Sequence, residues 1–212
     1  MIQESAVVLA GAATLGGLFD VFVRAPARLR EAYREGLSVL SGIVEGKDPR
    51  AAGHAARVAD LSVRIATVLR MRSRDVERVR HAALLHDIGK VKVPHRILTK
   101  PDMLDPDEFA LVKSHAGVGA EIISKVELLR PLAPIILCHH ERPDGRGYPA
   151  GIAGAQIPAE SRIIYLAAAY EAMTSPRSWR PPMAESDALE VIRSASGAEF
   201  DSDVAEAFFS LL

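Results

Sequence analysis

The chain has 212 residues, with 26 Lys and Arg against 27 Asp and Glu for a net charge of -1. That length suits one globular domain with a short extension, and the balanced charge excludes the overall basic bias of a protein that neutralises many phosphates, so no DNA partner is expected. A hydrophobic share of 49% and a charged share of 25% exclude intrinsic disorder, and the single cysteine, Cys138, excludes an internal disulfide and every thiolate zinc site.

Residues 5–19 are uncharged, and with residues 20–23 they form an apolar stretch broken only by Asp20. A helix of about 18 residues spans roughly 27 Å, close to a bilayer core of about 30 Å. Arg24, Arg28, Arg30 and Arg34 follow at once, which under the positive-inside bias puts the rest of the chain in the cytoplasm. Residues 5–23 therefore read as an inner-membrane anchor or as a helix packed against protein, with Gly11, Gly16 and Gly17 allowing close approach. The lack of a basic segment before them argues against a secretory signal.

Beyond Pro26 the apolar residues Tyr33, Leu37, Leu40, Ile43 and Val44 recur at intervals of three and four, and residues 46–49 stop that helix. A second helix is expected over 51–69, burying Ala55, Val58, Ala59, Ser62, Ile65, Ala66 and Leu69. A third follows Ser73 or Asp75 up to about His86. Asp105, Pro106 and Glu108 spell a helix start, with a capping aspartate, proline at the first position and a reciprocal glutamate. That helix is expected to reach about His115, with Gly117 and Gly119 marking its end or a bend. Residues 142–158, rich in glycine and proline, read as a loop. Helices resume over 159–173, 185–194 and 204–211, the last capped by Asp201. No stretch alternates with period two, so the expected fold is all-α, a helical bundle with an N-terminal apolar helix.

Six of the seven histidines fall between His81 and His140. His86 and Asp87 are adjacent at the end of an apolar helix, and His139 and His140 pose the same geometry at another helix end. Neighbouring helical residues diverge by about 100°, so each pair must straddle a pocket or bridge two ions. With His54 and His115, four separate elements can converge on one pocket. Imidazole and carboxylate donors suit zinc, iron, manganese or nickel, and two such ions form a phosphoryl-transfer site. Each histidine taken alone reads more simply as a hydrogen-bonded core residue.

The order and local sequence of these segments add to that reading. They are His86-Asp87-Ile88-Gly89-Lys90, Lys113 with His115 and Gly119, His139-His140-Glu141, Asp144-Gly145 with Gly147-Tyr148-Pro149, Thr174-Ser175 with Arg177 and Arg180, and Phe200-Asp201. From about Glu45 onward the chain resembles the HD-GYP domains, a bacterial branch of the HD phosphohydrolase superfamily. The resemblance implies an HD-type helical bundle over 45–212, preceded by an N-terminal segment and linking helix over 1–44. It implies a metal-dependent phosphodiesterase that hydrolyses cyclic di-GMP in second-messenger signalling, with two divalent ions, iron or manganese. Position by position it makes His54, His86, Asp87, His115, His139 and His140 metal ligands with Asp87 bridging, and Asp87 and Lys90 the catalytic pair. Lys90, Gly147, Tyr148, Pro149 and Arg180 would meet the substrate. The loop of Gly147, Tyr148 and Pro149 would also dock a diguanylate cyclase (GGDEF) partner, and the leading helices could form a homodimer. His81 and His95 match no ligand position.

Two departures stand out. The family's metal-binding aspartate falls on Ala168, which has no donor atom. Glu171 lies one helical turn further on the same face, where an acid that faces solvent or supports a ligand is the simpler reading. Arg50, four residues before His54, stands where three-metal members carry a glutamate, so at most two ions are expected. The loss at Ala168 leaves an alternative: a degenerate HD-GYP module that binds cyclic di-GMP or a partner protein with little or no turnover.

Overall fold

A computed structural model describes residues 24–47, 51–176 and 181–212. The expectations for residues 5–23, Arg50, Arg177 and Arg180 lie outside the described residues. Every regular element among the described residues is helical, and the one β-type contact is an isolated bridge between Ser196 and Phe200. No helix among them is long and apolar enough to cross a membrane.

The chain divides into two compact units, one ending at Leu37 and one running from Ser38 to Leu212. The described part of the first is the start of α1 (Ala25–Glu45), where Leu29 stands 73% exposed. The second unit holds the end of α1 and every later element. In it Val44 of the expected apolar stripe is buried, whereas Leu40 and Ile43 are exposed. Helical spacing alone cannot say how much of a stripe finds a partner.

Helix α2 (His54–Val68) lies against α3 (Ser73–Leu85) and α8 (Ala159–Thr174), and these three form the centre of the core. The expected inner face of α2 is buried from Ala55 to Ala66, with His54 added at its first position, while Leu69 is only half-buried beyond its end. The Asp105 signal forms as read. After the single turn of α4 (His95–Leu98), Asp105 accepts from the Glu108 amide, Glu108 accepts from the Asp105 amide, and Pro106 opens α5 (Pro106–Lys113).

Several boundaries differ: α2 begins at His54 and not at 51, the last helix runs Ser202–Phe209, and a helix ends before His115. α5 stops at Lys113, and His115 opens a new helix, α6 (His115–Ser124), which runs straight through Gly117 and Gly119. Gly89 and Gly119 serve close packing here: a Cβ on Gly89 would come within 2.0 Å of the His115 carbonyl oxygen and 2.6 Å of the Gly119 nitrogen. The 3-10 turn Ile88–Lys92 therefore presses directly on α6. The short α7 (Ala133–Leu137) packs on α6 and ends just before His139. Helices α9 (Glu185–Ala195) and α10 (Ser202–Phe209) close the bundle, with Asp201 accepting from the Asp203 and Val204 amides.

Candidate metal centre

Four helices deliver the histidines and the aspartate. His54 opens α2, His86 and Asp87 follow α3, His115 opens α6, and His139 and His140 follow α7. At Asp87 the backbone leaves the α region (φ -94, ψ 5) to start the 3-10 turn, so the adjacent His86 and Asp87 both address one pocket.

The donor atoms gather into two triads, His54 with His86 and Asp87, and His115 with His139 and His140. Asp87 lies between them. Its Oδ2 is 3.8 Å from His54 Nε2 and 3.5 Å from His86 Nε2, while its Oδ1 is 3.3 Å from His115 Nε2. Lys90 Nζ donates to Asp87 Oδ2 at 2.6 Å. His81 and His95 belong to neither triad: His81 sits 3.6 Å from Glu77, and His95 Nδ1 donates to the Lys47 carbonyl at 2.6 Å.

The imidazoles are oriented for ligation. His86, His115 and His139 each present Nδ1 to the carbonyl three residues earlier, on Ala83, Val112 and Ile136, at 2.7, 2.7 and 2.6 Å. A carbonyl only accepts, so Nδ1 must hold the proton and Nε2 keeps a free lone pair. His115 Nε2 and His139 Nε2 then face one another at 3.2 Å as two acceptors, a repulsive contact that a cation relieves. Burial pushes His86 down to about 4 and lowers His115, His139 and His140 as well, so these rings are neutral near pH 7. Burial raises Asp87, but the Lys90 ammonium and the surrounding imidazoles outweigh it and hold the carboxyl well below its usual range. Neutral imidazoles around an ionised carboxylate are the donor set a divalent cation takes.

Three further residues complete the His54 side. Glu171, buried on α8, accepts from His54 Nδ1 through Oε2, while its Oε1 takes the Arg57 guanidinium at 2.6 and 3.0 Å and the Ser175 hydroxyl at 2.9 Å. Burial raises this acid, yet its bonds to His54, Arg57 and Ser175 bring it down to about 2. Glu171 thus lies behind the imidazole, at the nitrogen opposite the one that faces Asp87, so it supports His54 and is not arranged to replace Ala168. The same-face spacing with Ala168 was the sequence signal. Arg57 and Ser175 gave none that chemistry alone would single out.

The glycine-rich loop closes the other side. Tyr148 stacks on His140 with ring centroids 4.6 Å apart and planes at 21°. Gly147 permits this, because a Cβ there would meet the Arg142 nitrogen at 2.4 Å and the Glu141 Cα at 2.5 Å. The buried Glu141 accepts from the Ala150 and Gly151 amides at 2.7 and 3.2 Å, and Arg142 pairs with Asp144 and Glu199. Pro149 is exposed at the loop tip.

A family model described as an HD domain matches residues 38–204. The chain belongs to the HD domain family. Among curated relatives, a cyclic di-GMP phosphodiesterase of Thermotoga maritima is 40% identical over 84% of this chain and 49% of its own length. A 3'3'-cGAMP-specific phosphodiesterase of Vibrio cholerae is 39% identical over 77% of this chain and 36% of its own length. The chain thus spans half or less of these relatives. Among solved structures, a cyclic GMP-AMP specific phosphodiesterase of Vibrio cholerae superposes with a TM-score of 0.67 at 19% identity, over 84% of this chain and 48% of that one, a likeness of fold.

Proposed function

We propose that residues 45–212 form the HD-GYP domain of a metal-dependent phosphodiesterase that hydrolyses cyclic di-GMP in bacterial signalling. The observation that supports it most is the Asp87 carboxylate between two donor triads, one oxygen toward each, with Lys90 against it. In this reading His54, His86 and Asp87 hold one ion and His115, His139 and His140, with Asp87 shared, hold the second. Iron and manganese suit that donor set. Two such ions, when bound, supply Lewis-acid polarisation of a phosphodiester and lower the pKa of water. The chain's own residues do the rest. Lys90 brings positive charge beside the phosphoryl oxygens, and the paired Nδ1 atoms hold His54, His86, His115 and His139 each in one tautomer and one orientation. Tyr148, stacked on His140 and pinned by its loop, walls the site where a base or ribose would lie. Arg180 would meet the nucleotide, and the exposed Pro149 end of the loop would face a diguanylate cyclase partner. A cytoplasmic domain, tethered or dimerised through the leading residues, fits the arginines that follow residue 23.

Ala168 favours a second reading, a module that binds cyclic di-GMP or a partner without turnover, because the His54 triad keeps three protein donors where the family has a fourth. Hydrolysis of cyclic di-GMP by the anaerobically purified, manganese- or iron-reconstituted chain separates the two, measured beside Asp87→Ala and Ala168→Asp. Turnover that Asp87→Ala abolishes establishes the phosphodiesterase. A silent parent with an active Ala168→Asp establishes the binding module. Silence in both, with turnover of 3'3'-cGAMP or another phosphodiester, overturns the substrate assignment.

A further inference from the structure

The last turn of α1 holds two structural elements of the metal centre at once. Helix α2, which begins with His54, has Gly53 at its N-cap and no capping side chain of its own. Its unpaired amides find their acceptor on another helix: Glu45 Oε2 accepts from the Gly53 amide at 2.8 Å, and Oε1 from the Ala55 amide at 2.6 Å. A carboxylate at a helix N-terminus both satisfies orphan donors and meets the positive end of the helix dipole. Two residues on, the half-buried Lys47 turns its ammonium to the opposite kind of helix end. Lys47 Nζ donates to the carbonyls of Val91 at 2.7 Å and Val93 at 2.9 Å, where the 3-10 turn Ile88–Lys92 runs out, and to that of Lys90 at 3.4 Å, which also accepts from the Val93 amide. An ammonium has three protons, and all three are directed at this turn. The Lys47 carbonyl also takes the His95 Nδ1 proton, which fixes the Lys47 backbone in place. Glu45 further lines the cleft that reaches His54, Asp87 and Lys90.

We propose that Glu45 and Lys47 are positioning residues of the metal centre, Glu45 by fixing the first residue of the His54 helix and Lys47 by fixing the turn that presents Asp87 and Lys90. Neither touches a donor atom of the triads. Each acts on the backbone that aims one. Because both lie in the final turn of α1 and just beyond it, a shift of that turn moves His54 and Lys90 together.

The proposal rests on the phosphodiesterase reading only where turnover is measured, so the primary readout is cobalt. Lys47→Met keeps the stem and removes the ammonium, and Co2+ titration of the full chain, followed by the d–d absorption of the bound ion, is expected to show about ten-fold weaker binding. Lys47→Arg, which restores donors to two of the carbonyls, is expected to recover most of it. If the chain turns over cyclic di-GMP, Lys47→Met should lower kcat about ten-fold with KM changed less than two-fold, and in a Lys90→Ala background that loss should largely vanish, since the lysine it acts through is gone. A merely structural contact would give the same fold-loss in both backgrounds. Should Lys47→Met fail to fold, Glu45→Gln carries the cobalt test, with about ten-fold weaker binding expected through His54. Parental cobalt affinity in the folded variants, or equal loss in both backgrounds, overturns the proposal, and a parent that binds cobalt without turnover counts against the phosphodiesterase reading alone.

Discussion

The two donor triads are built differently. In the His115, His139 and His140 triad, two imidazoles are fixed by main-chain carbonyls within their own turns, at 2.7 and 2.6 Å, and the third lies under Tyr148. In the His54, His86 and Asp87 triad only His86 has such a carbonyl. His54 depends on the Glu171 side chain, and Asp87 on the Lys90 side chain. Main-chain support comes with the helix ends, whereas side-chain support is open to substitution one residue at a time. In the proposed reading the His54 triad is also the one that lacks a family donor at Ala168, so variation and fragility would meet on the same side of the site.

The sharpest break of this contrast is Asp87→Ala, which removes the only carboxylate of the two triads. Metal binding is expected to fall at least 100-fold at the His54 side, with loss at the other side too, measured by metal content after dialysis. Glu171→Gln should act on one side only. Manganese affinity at the His54 triad is expected to drop about ten-fold, with the other ion retained, so a binding isotherm with two sites becomes more widely split. Equal weakening of both sites would show that the two triads are not independently supported.

The next effect is on pH. In the metal-stripped chain, His86, His115, His139 and His140 titrate below the ordinary imidazole value because burial disfavours the cation. The unfolded chain then binds protons that the native state refuses, so stability falls as pH drops below about 6.5. Asp87 and Glu171, both held low, add a further loss below about pH 4, where the unfolded carboxylates protonate first. Urea unfolding between about pH 7.5 and 5 should show a steady decline, and excess metal should steepen it by adding stability at the high-pH end. The smallest effect lies away from the site: Asp105→Ala removes a helix cap and should cost about 1 kcal/mol, read as a lower urea midpoint with metal affinity unchanged.

The same contrast explains what the amino-acid sequence could tell. Local signals are legible, because Asp105, Pro106 and Glu108 satisfy one another within four residues, and the apolar spacing of α2 reports its buried face from Ala55 to Ala66. The candidate ligands come from the resemblance, and each of those six residues lies at or just past a helix end. What stays hidden is long-range support. Glu171 meets His54 across 117 positions, and Lys47 meets the Val91 and Val93 carbonyls across 44 and 46. A side chain that bonds to main chain leaves no periodic trace, and the same-face spacing of Glu171 with Ala168 did not say which imidazole it would meet. The break between α5 and α6 at Ser114 was equally hidden, because Gly117 and Gly119 looked like its place, whereas both lie within α6 and Gly119 serves the close approach of the Ile88–Lys92 turn.

The most direct test of the central arrangement, one carboxylate shared by two cation sites, is electron paramagnetic resonance of the chain saturated with Mn2+. The expected result is the signature of an exchange-coupled manganese pair that Asp87→Ala abolishes. Signals from isolated, uncoupled Mn2+ at saturation, or a single bound ion, would contradict it.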